Sequence, residues 1–146
     1  MIIYTIGFTK RTAEEFFYPI KEEKIELMID IRLNNKSQLA GFTKGQDLAY
    51  FLKEICGCAY DHNQLLSPTK EILDGYKSGD ITWAEYEALF LPLMEQRQIG
   101  ALFAEEYNRY YKVCLLCSEP EPTRCHRRLV AEFLKKLNPM WDILHI

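Results

Sequence analysis

A chain of 146 residues, 48% of them hydrophobic, is long enough to bury a core and too short for two domains, so residues 1–146 read as a single domain. A net charge of -3 excludes the broad phosphate neutralisation that extended nucleic acid requires, and no apolar run approaches the ~20 residues of a membrane span. Five cysteines, an odd number with no short secreted framework around them, read as free thiols in a reducing compartment. The opening MIIYTIGF lacks the basic start and small-residue cleavage site of a signal peptide, so the expected location is cytoplasmic, with no membrane association.

Residues 1–6 predict a first strand, after which Thr12 and Glu15 form a capping box for a helix running to about Lys24, with Pro19 against it. The second strand, 26–31 (ELMIDI), is nearly continuously apolar, as a strand covered on both faces is. Thr43 and Gln46 are placed to cap a helix in which Leu48, Phe51, Leu52 and Ile55 share a face and which Gly57 ends. A short third strand covers 58–61. Ser67-Pro68 starts a helical middle, Ser78-Gly79-Asp80 breaks it, Thr82 with Glu85 caps a longer helix, and Pro92 is expected to kink or end that helix. Residues 112–117 predict the fourth strand. Thr123 is placed as N-cap of a helix whose Leu129, Val130, Phe133, Leu134 and Leu137 form one apolar stripe, and 141–146 (WDILHI) is the fifth strand.

Strands alternating with helices predict an α/β fold: a three-layer, Rossmann-like arrangement with a mostly parallel sheet of about five strands and helices on both faces. In such a sheet the carboxyl ends of the strands and the helix N-termini after them form the usual ligand crevice. One rim is therefore expected to gather Gly7, Phe8 and Thr9, then Asp30 and Arg32, then His62 and Asn63, then Cys117 and Glu119.

The stretch 113–128, VCLLCSEPEPTRCHRR, concentrates the reactive types. Cys125 near a helix N-terminus, flanked by Arg124, His126 and Arg127, has the surroundings that lower a thiol pKa, against the alternative of a small residue sealing helix to sheet. Cys117 ends a strand, but six residues separate it from Arg124 where the phosphatase loop has five, and Glu119 and Glu121 oppose a phosphate there. Glu119 is the acid or base candidate if the crevice desolvates it, with an ion pair to Arg127 or Arg32 as the alternative. Asp30 and Arg32 either orient a substrate or pair with each other. His62 and His126 are candidate substrate contacts, and Arg127 at a helix start points to an anionic partner. The cofactor is unknown. Cys117, Cys125 and His126 or His62 could hold zinc with an open position, whereas Cys114 and Cys117, three apart on a strand, face opposite sides of the sheet; no metal ligand is assigned. No dinucleotide or Walker loop is present.

Thr5-Ile6-Gly7, Asp30-Ile31-Arg32, Tyr60-Asp61-His62, Cys117-Ser118-Glu119 with Cys125-His126-Arg127, and the terminal His145-Ile146 together resemble domain of unknown function family 488 over essentially the whole chain. Relatives carry His-Ser after the glycine where this chain has Phe8-Thr9. The resemblance implies a shared fold and a shared Cys-Glu-Cys-His-Arg cluster, with no settled activity.

Two function classes follow. One is a small enzyme, a hydrolase or transferase with a Cys/Glu/Arg site, acting on a compact anionic, nucleotide-like substrate, with Glu119, Cys125 and Cys117 as catalytic candidates and Gly7, Thr9, Asp30, Arg32, His62, His126 and Arg127 as substrate contacts. The other is a non-catalytic module that binds a nucleotide or a protein in the same crevice.

Overall fold

A computed structural model of the protein describes residues 1–36 and 40–146. Five strands, β1 (Ile2–Gly7), β2 (Leu27–Asp30), β3 (Ala59–His62), β4 (Lys112–Cys117) and β5 (Asp142–His145), form one sheet in the order β3-β2-β4-β1-β5, every pairing parallel. All five carboxyl ends consequently lie along one edge. Six helices cover the two faces: α1 (Ala13–Glu22), α2 (Gly45–Phe51), α3 (Lys70–Ser78), α4 (Trp83–Gln96), α5 (Ile99–Tyr107) and α6 (His126–Leu137). This is the three-layer, Rossmann-like α/β architecture expected from the alternation of elements.

The period of two along each strand divides the core in two. Ile3, Leu27, Ile29, Val113 and Leu115 pack beneath α4, α5 and α6, whereas Tyr4, Ile6, Met28, Cys114 and Leu116 pack against Phe16, Phe17 and Ile20 of α1 and Leu48 of α2. Cys114 therefore lies on the α1 face. By the same alternation Cys117 and its register partner Gly7 lie on the α6 face. That parity brings the end of β4 beneath the start of α6.

Local chemistry accounts for most helix boundaries. Thr12 and Thr82 each accept from the backbone N–H three residues on, and Glu15 and Glu85 return the bond in full capping boxes. Thr69 caps α3, which ends at Gly79 with φ 82°, and Gly57 at φ 64° closes the π-helical turn Leu52–Cys56 that continues α2. Pro19 sits inside α1, and the Glu15 carbonyl it cannot serve accepts from Arg11 at 3.4 Å instead.

Four expectations are corrected. Thr43 does not cap α2: it lies in a 3₁₀ turn (Gly41–Thr43) and its hydroxyl donates to the Ala40 carbonyl, leaving Lys44 as the N-cap residue. Ile55 is exposed and leaves the shared face that Leu48 and Leu52 bury, because the π turn shifts the phase of the helix. Of the two outcomes expected at Pro92, the end of the helix does not occur: Pro92 is carried within α4, where burial of Phe90 and Met94 on either side offsets the lost backbone bond, and the chain breaks later, at Gln98, with φ 52°. The N-cap of α6 is Cys125, not Thr123, and it makes no side-chain cap bond, so its sulfur is free for another partner.

Candidate active site at the carboxyl edge of the sheet

The loop after β4 is the centre of the site. Cys117 ends the strand, Pro120 and Pro122 turn the chain, and Cys125, His126 and Arg127 open α6, all three buried. Ligand atoms of Cys117, Cys125 and His126 lie within 4.8 Å of one another. Arg127 is 1% exposed and folds back over the loop: Nη1 donates to the Glu119 carbonyl and, at 3.5 Å, to Cys125 Sγ, while Nη2 donates to the Pro120 carbonyl at 3.0 Å. Among the described residues no carboxylate pairs with this guanidinium, and its Nε–H has no partner.

These surroundings act on the two thiols in opposite directions. Cys117 is held below the ordinary thiol range chiefly by a hydrogen bond from Cys125; burial opposes this, and the backbone N–H groups of Ser118 and Glu119 and the charge of Arg127 reinforce it. Cys125 is pushed far upward, first because it is the donor to Cys117 and then by burial. The expectation that Cys125 is the activated thiol is thus reversed. Cys117 instead collects two loop N–H donors, those of Ser118 and Glu119, and Cys125 serves as a further donor through its S–H.

His126 is fixed from behind. A carbonyl oxygen only accepts, so the 2.9 Å contact between Nε2 and the Ile31 carbonyl places the ring proton on Nε2. Cys117 Sγ lies 3.5 Å from Nδ1 and 3.8 Å from Nε2. The sulfur is therefore in contact with the ring, nearer the unprotonated Nδ1. Cys117, Cys125 and His126 are the residues that could hold a metal ion, His126 through Nδ1 with its Nε2–H kept on the Ile31 carbonyl.

Asp30 and Arg32 pair with each other. Arg32 Nε and Nη2 engage the two Asp30 oxygens at 2.8 and 2.5 Å, and Nη2 also donates to the Thr43 carbonyl at 2.8 Å. Tyr60 donates to the same carboxylate at 2.8 Å, the Arg32 guanidinium lies over the Phe8 ring, and His62 Nε2 donates to the Arg32 carbonyl at 2.8 Å. Arg32 is 3% exposed, and its remaining nitrogen, Nη1, is buried without a partner among the described residues. Two arginines at one edge of the sheet therefore each keep a buried N–H unused.

The other candidates act on the framework. Gly7 has no room for a side chain, because a β-carbon there would overlap the Glu119 carbonyl and lie 2.9 Å from Arg127 Nη1. Thr9 ties the loop after β1 to the loop after β4, its N–H and hydroxyl both donating to the Ser118 carbonyl. Glu119 is exposed and its carboxylate has no hydrogen bond or ion pair among the described residues, so the crevice supplies neither the desolvation that general acid–base work needs nor the expected pairing with Arg127 or Arg32. Asn63 and Asp61 bond to the Tyr107 hydroxyl beside β3.

Some participants had no direct signal in the sequence. Ser67 shares the Ile31 carbonyl with His126, and Thr43 contributes only its main-chain carbonyl to Arg32. Thr5 Oγ1 lies 2.7 Å from His145 Nδ1 across the β1–β5 pair, and the register Thr5↔His145 is the long-range fact needed to see it. Tyr60 could have been found from strand period alone, since it sits two residues before His62 and so shares its face.

No curated protein and no solved structure matches the chain. A family model described as a domain of unknown function, DUF488, matches residues 12–134, the span that carries Asp30, Arg32, His62, Cys117, Cys125, His126 and Arg127. The chain belongs to the DUF488 family.

Proposed function

We propose that the protein is a small enzyme that acts on a compact anionic substrate at the carboxyl edge of the sheet, with the Cys117 sulfur as its nucleophile. The observation that carries this reading is Arg127, a buried cation that among the described residues has no carboxylate partner and one N–H unused, close to a sulfur supplied with three donors. A guanidinium keeps its proton in any protein environment, so its buried charge favours an anion nearby. Cys117 as thiolate supplies that anion at rest. The spare N–H groups of Arg32 and Arg127 suit an incoming anionic group, since an unpaired buried donor costs about 1–3 kcal/mol until a ligand fills it.

Roles follow from position. Cys117 attacks, the backbone N–H groups of Ser118 and Glu119 hold developing negative charge at the end of β4, and Arg127 and Arg32 anchor the substrate. Cys125 holds the resting sulfur by hydrogen bond, and His126 packs against it. Cys117 is 5% exposed, so only a compact group reaches it. Free thiols at all five cysteines fit a reducing compartment, and we place the protein in the cytoplasm on that ground.

The test is turnover on a panel of small phosphate- and carboxylate-bearing compounds, nucleotides included, with the intact protein and with Cys117→Ser. The expected result is turnover by the parent and its loss in a variant that melts like the parent. Binding of a panel member without turnover, unaffected by Cys117→Ser, would favour the non-catalytic module instead.

A further inference from the structure

The two sulfurs at the start of α6 are arranged for more than support of one by the other. Cys117 and Cys125 are both buried, their sulfurs lie within 4.8 Å, and both face the α6 side of the sheet. Cys125 is the N-cap residue, with extended backbone (φ -139°, ψ 137°) and no cap bond from its side chain, so its sulfur can turn toward Cys117 without freeing a helix N–H. The remaining thiols differ in kind: Cys114 is fully buried on the opposite face, Cys58 is buried beneath β2, and Cys56 is half-buried and bonded to the Phe17 carbonyl.

We infer that Cys117 and Cys125 form a peroxide-reactive pair that closes reversibly to a disulfide, making this edge of the sheet an oxidative modification site. The inference rests on the reading of Cys117 as the nucleophile of this site, and its geometry is the two sulfurs within 4.8 Å of each other. The Cys117 thiolate attacks one oxygen of a hydroperoxide; the S–O bond forms, the O–O bond breaks, and hydroxide (or alkoxide) leaves and takes a proton from solvent. The resulting sulfenic acid at Cys117 is then attacked by Cys125. The S–S bond forms, the S–O bond breaks, and the hydroxyl departs with the Cys125 proton as water. Two electrons pass from the sulfurs to the peroxide. A dithiol reductant reverses the bond by exchange.

Geometry favours peroxide over larger oxidants. Hydrogen peroxide is close to water in size and can reach a sulfur that is 5% exposed, whereas glutathione disulfide must bring a tripeptide against it. Arg127 Nη1, 3.5 Å from Cys125 Sγ, stabilises that sulfur as its proton leaves. Closing the bond removes the Cys117 nucleophile, so oxidation switches off any reaction that depends on it.

The experiment treats the full chain with hydrogen peroxide or glutathione disulfide, counts free thiols after denaturation, and maps bridged peptides by mass spectrometry without reduction. The expected result with peroxide is a fall from five free thiols to three, one bridge between Cys117 and Cys125, recovery with dithiothreitol, and a slower response to glutathione disulfide. Cys125→Ala should instead accumulate a dimedone-trappable sulfenic acid at Cys117, and Cys117→Ser should give no bridge. A parallel iodoacetamide assay separates the two levels of the claim. Ready alkylation of Cys117 at neutral pH without a 117–125 bridge overturns this inference and leaves the thiolate standing; a bridge with sluggish alkylation keeps the pairing and overturns the thiolate; neither reaction overturns both.

Discussion

Replacing Gly7 by alanine tests the packing on which the site depends. Gly7 pairs with Cys117 in the central β1–β4 ladder, and its φ is not positive, so alanine is conformationally acceptable there and even favoured by about 0.4–1 kcal/mol through the unfolded chain. The cost is steric. The new β-carbon overlaps a backbone atom, the Glu119 carbonyl, which cannot swing aside as a side-chain tip would, because Thr9 holds the neighbouring Ser118 carbonyl and Arg127 holds Glu119 itself. Overpacking of this kind costs about 1–3 kcal/mol, and displacing the Glu119 carbonyl from a charged donor costs roughly 1.5–3 kcal/mol more. Set against the alanine gain, the net loss is about 3 kcal/mol, or roughly 10 °C in Tm for a domain of this size. Gly41→Ala, where an added β-carbon meets nothing within 4 Å among the described residues, is the control and should melt with the parent. Thermal unfolding followed by circular dichroism reads both. If Gly7→Ala melts within a degree or two of the parent, the loop after β4 is not seated on β1, and the placement of Ser118 and Glu119 above Cys117 is wrong.

Asp30→Asn removes the charge that Arg32 and Tyr60 share and one of the two acceptor oxygens; breaking a buried ion pair on one side should cost about 3–5 kcal/mol in urea unfolding, and a loss under 1 kcal/mol would mean that the pair is solvated. Thr82→Ala removes the cap of α4 and should cost about 1 kcal/mol in the same measurement; no change would show that the capping box is idle. Glu119→Gln should change neither Tm nor turnover by more than about twofold, since the carboxylate is exposed and unpartnered; a larger loss of turnover would restore Glu119 as an acid or base. Cys125→Ala removes the largest influence lowering the Cys117 thiol, so the midpoint of Cys117 alkylation against pH should move upward. An unmoved midpoint would show that Arg127 and the two backbone N–H groups suffice.

The fold was legible because its determinants are local. Five short apolar runs, two Thr-x-x-Glu boxes and the glycines at 57 and 79 act within a few residues, and helices between successive strands imply parallel pairing. What resisted was either compensated or phase-dependent: Pro92 is tolerated because Phe90 and Met94 are buried around it, and the π turn after Phe51 shifts Ile55 out of a stripe that ideal periodicity would bury. At the site, parallel topology brings the ends of β1, β2, β3 and β4 to one edge, as the alternation implied. Sequence could not apportion roles within the cluster. Whether Cys117 or Cys125 is the acceptor depends on where two backbone N–H groups point, whether Glu119 is desolvated depends on the path of a seven-residue loop, and the partner of Arg32 depends on whether β2 stops at Asp30.

The most direct test of the central claim is the rate of Cys117 alkylation by iodoacetamide as a function of pH, read peptide by peptide in the intact protein. A thiol with a lowered pKa stays ionised as pH falls below the ordinary thiol range and loses reactivity only below its own midpoint. The account predicts a Cys117 midpoint below that of a free thiol, while Cys58, its thiol pushed up to about 12 by burial, stays inert over the same range. A Cys117 midpoint at or above that of a free thiol would contradict it.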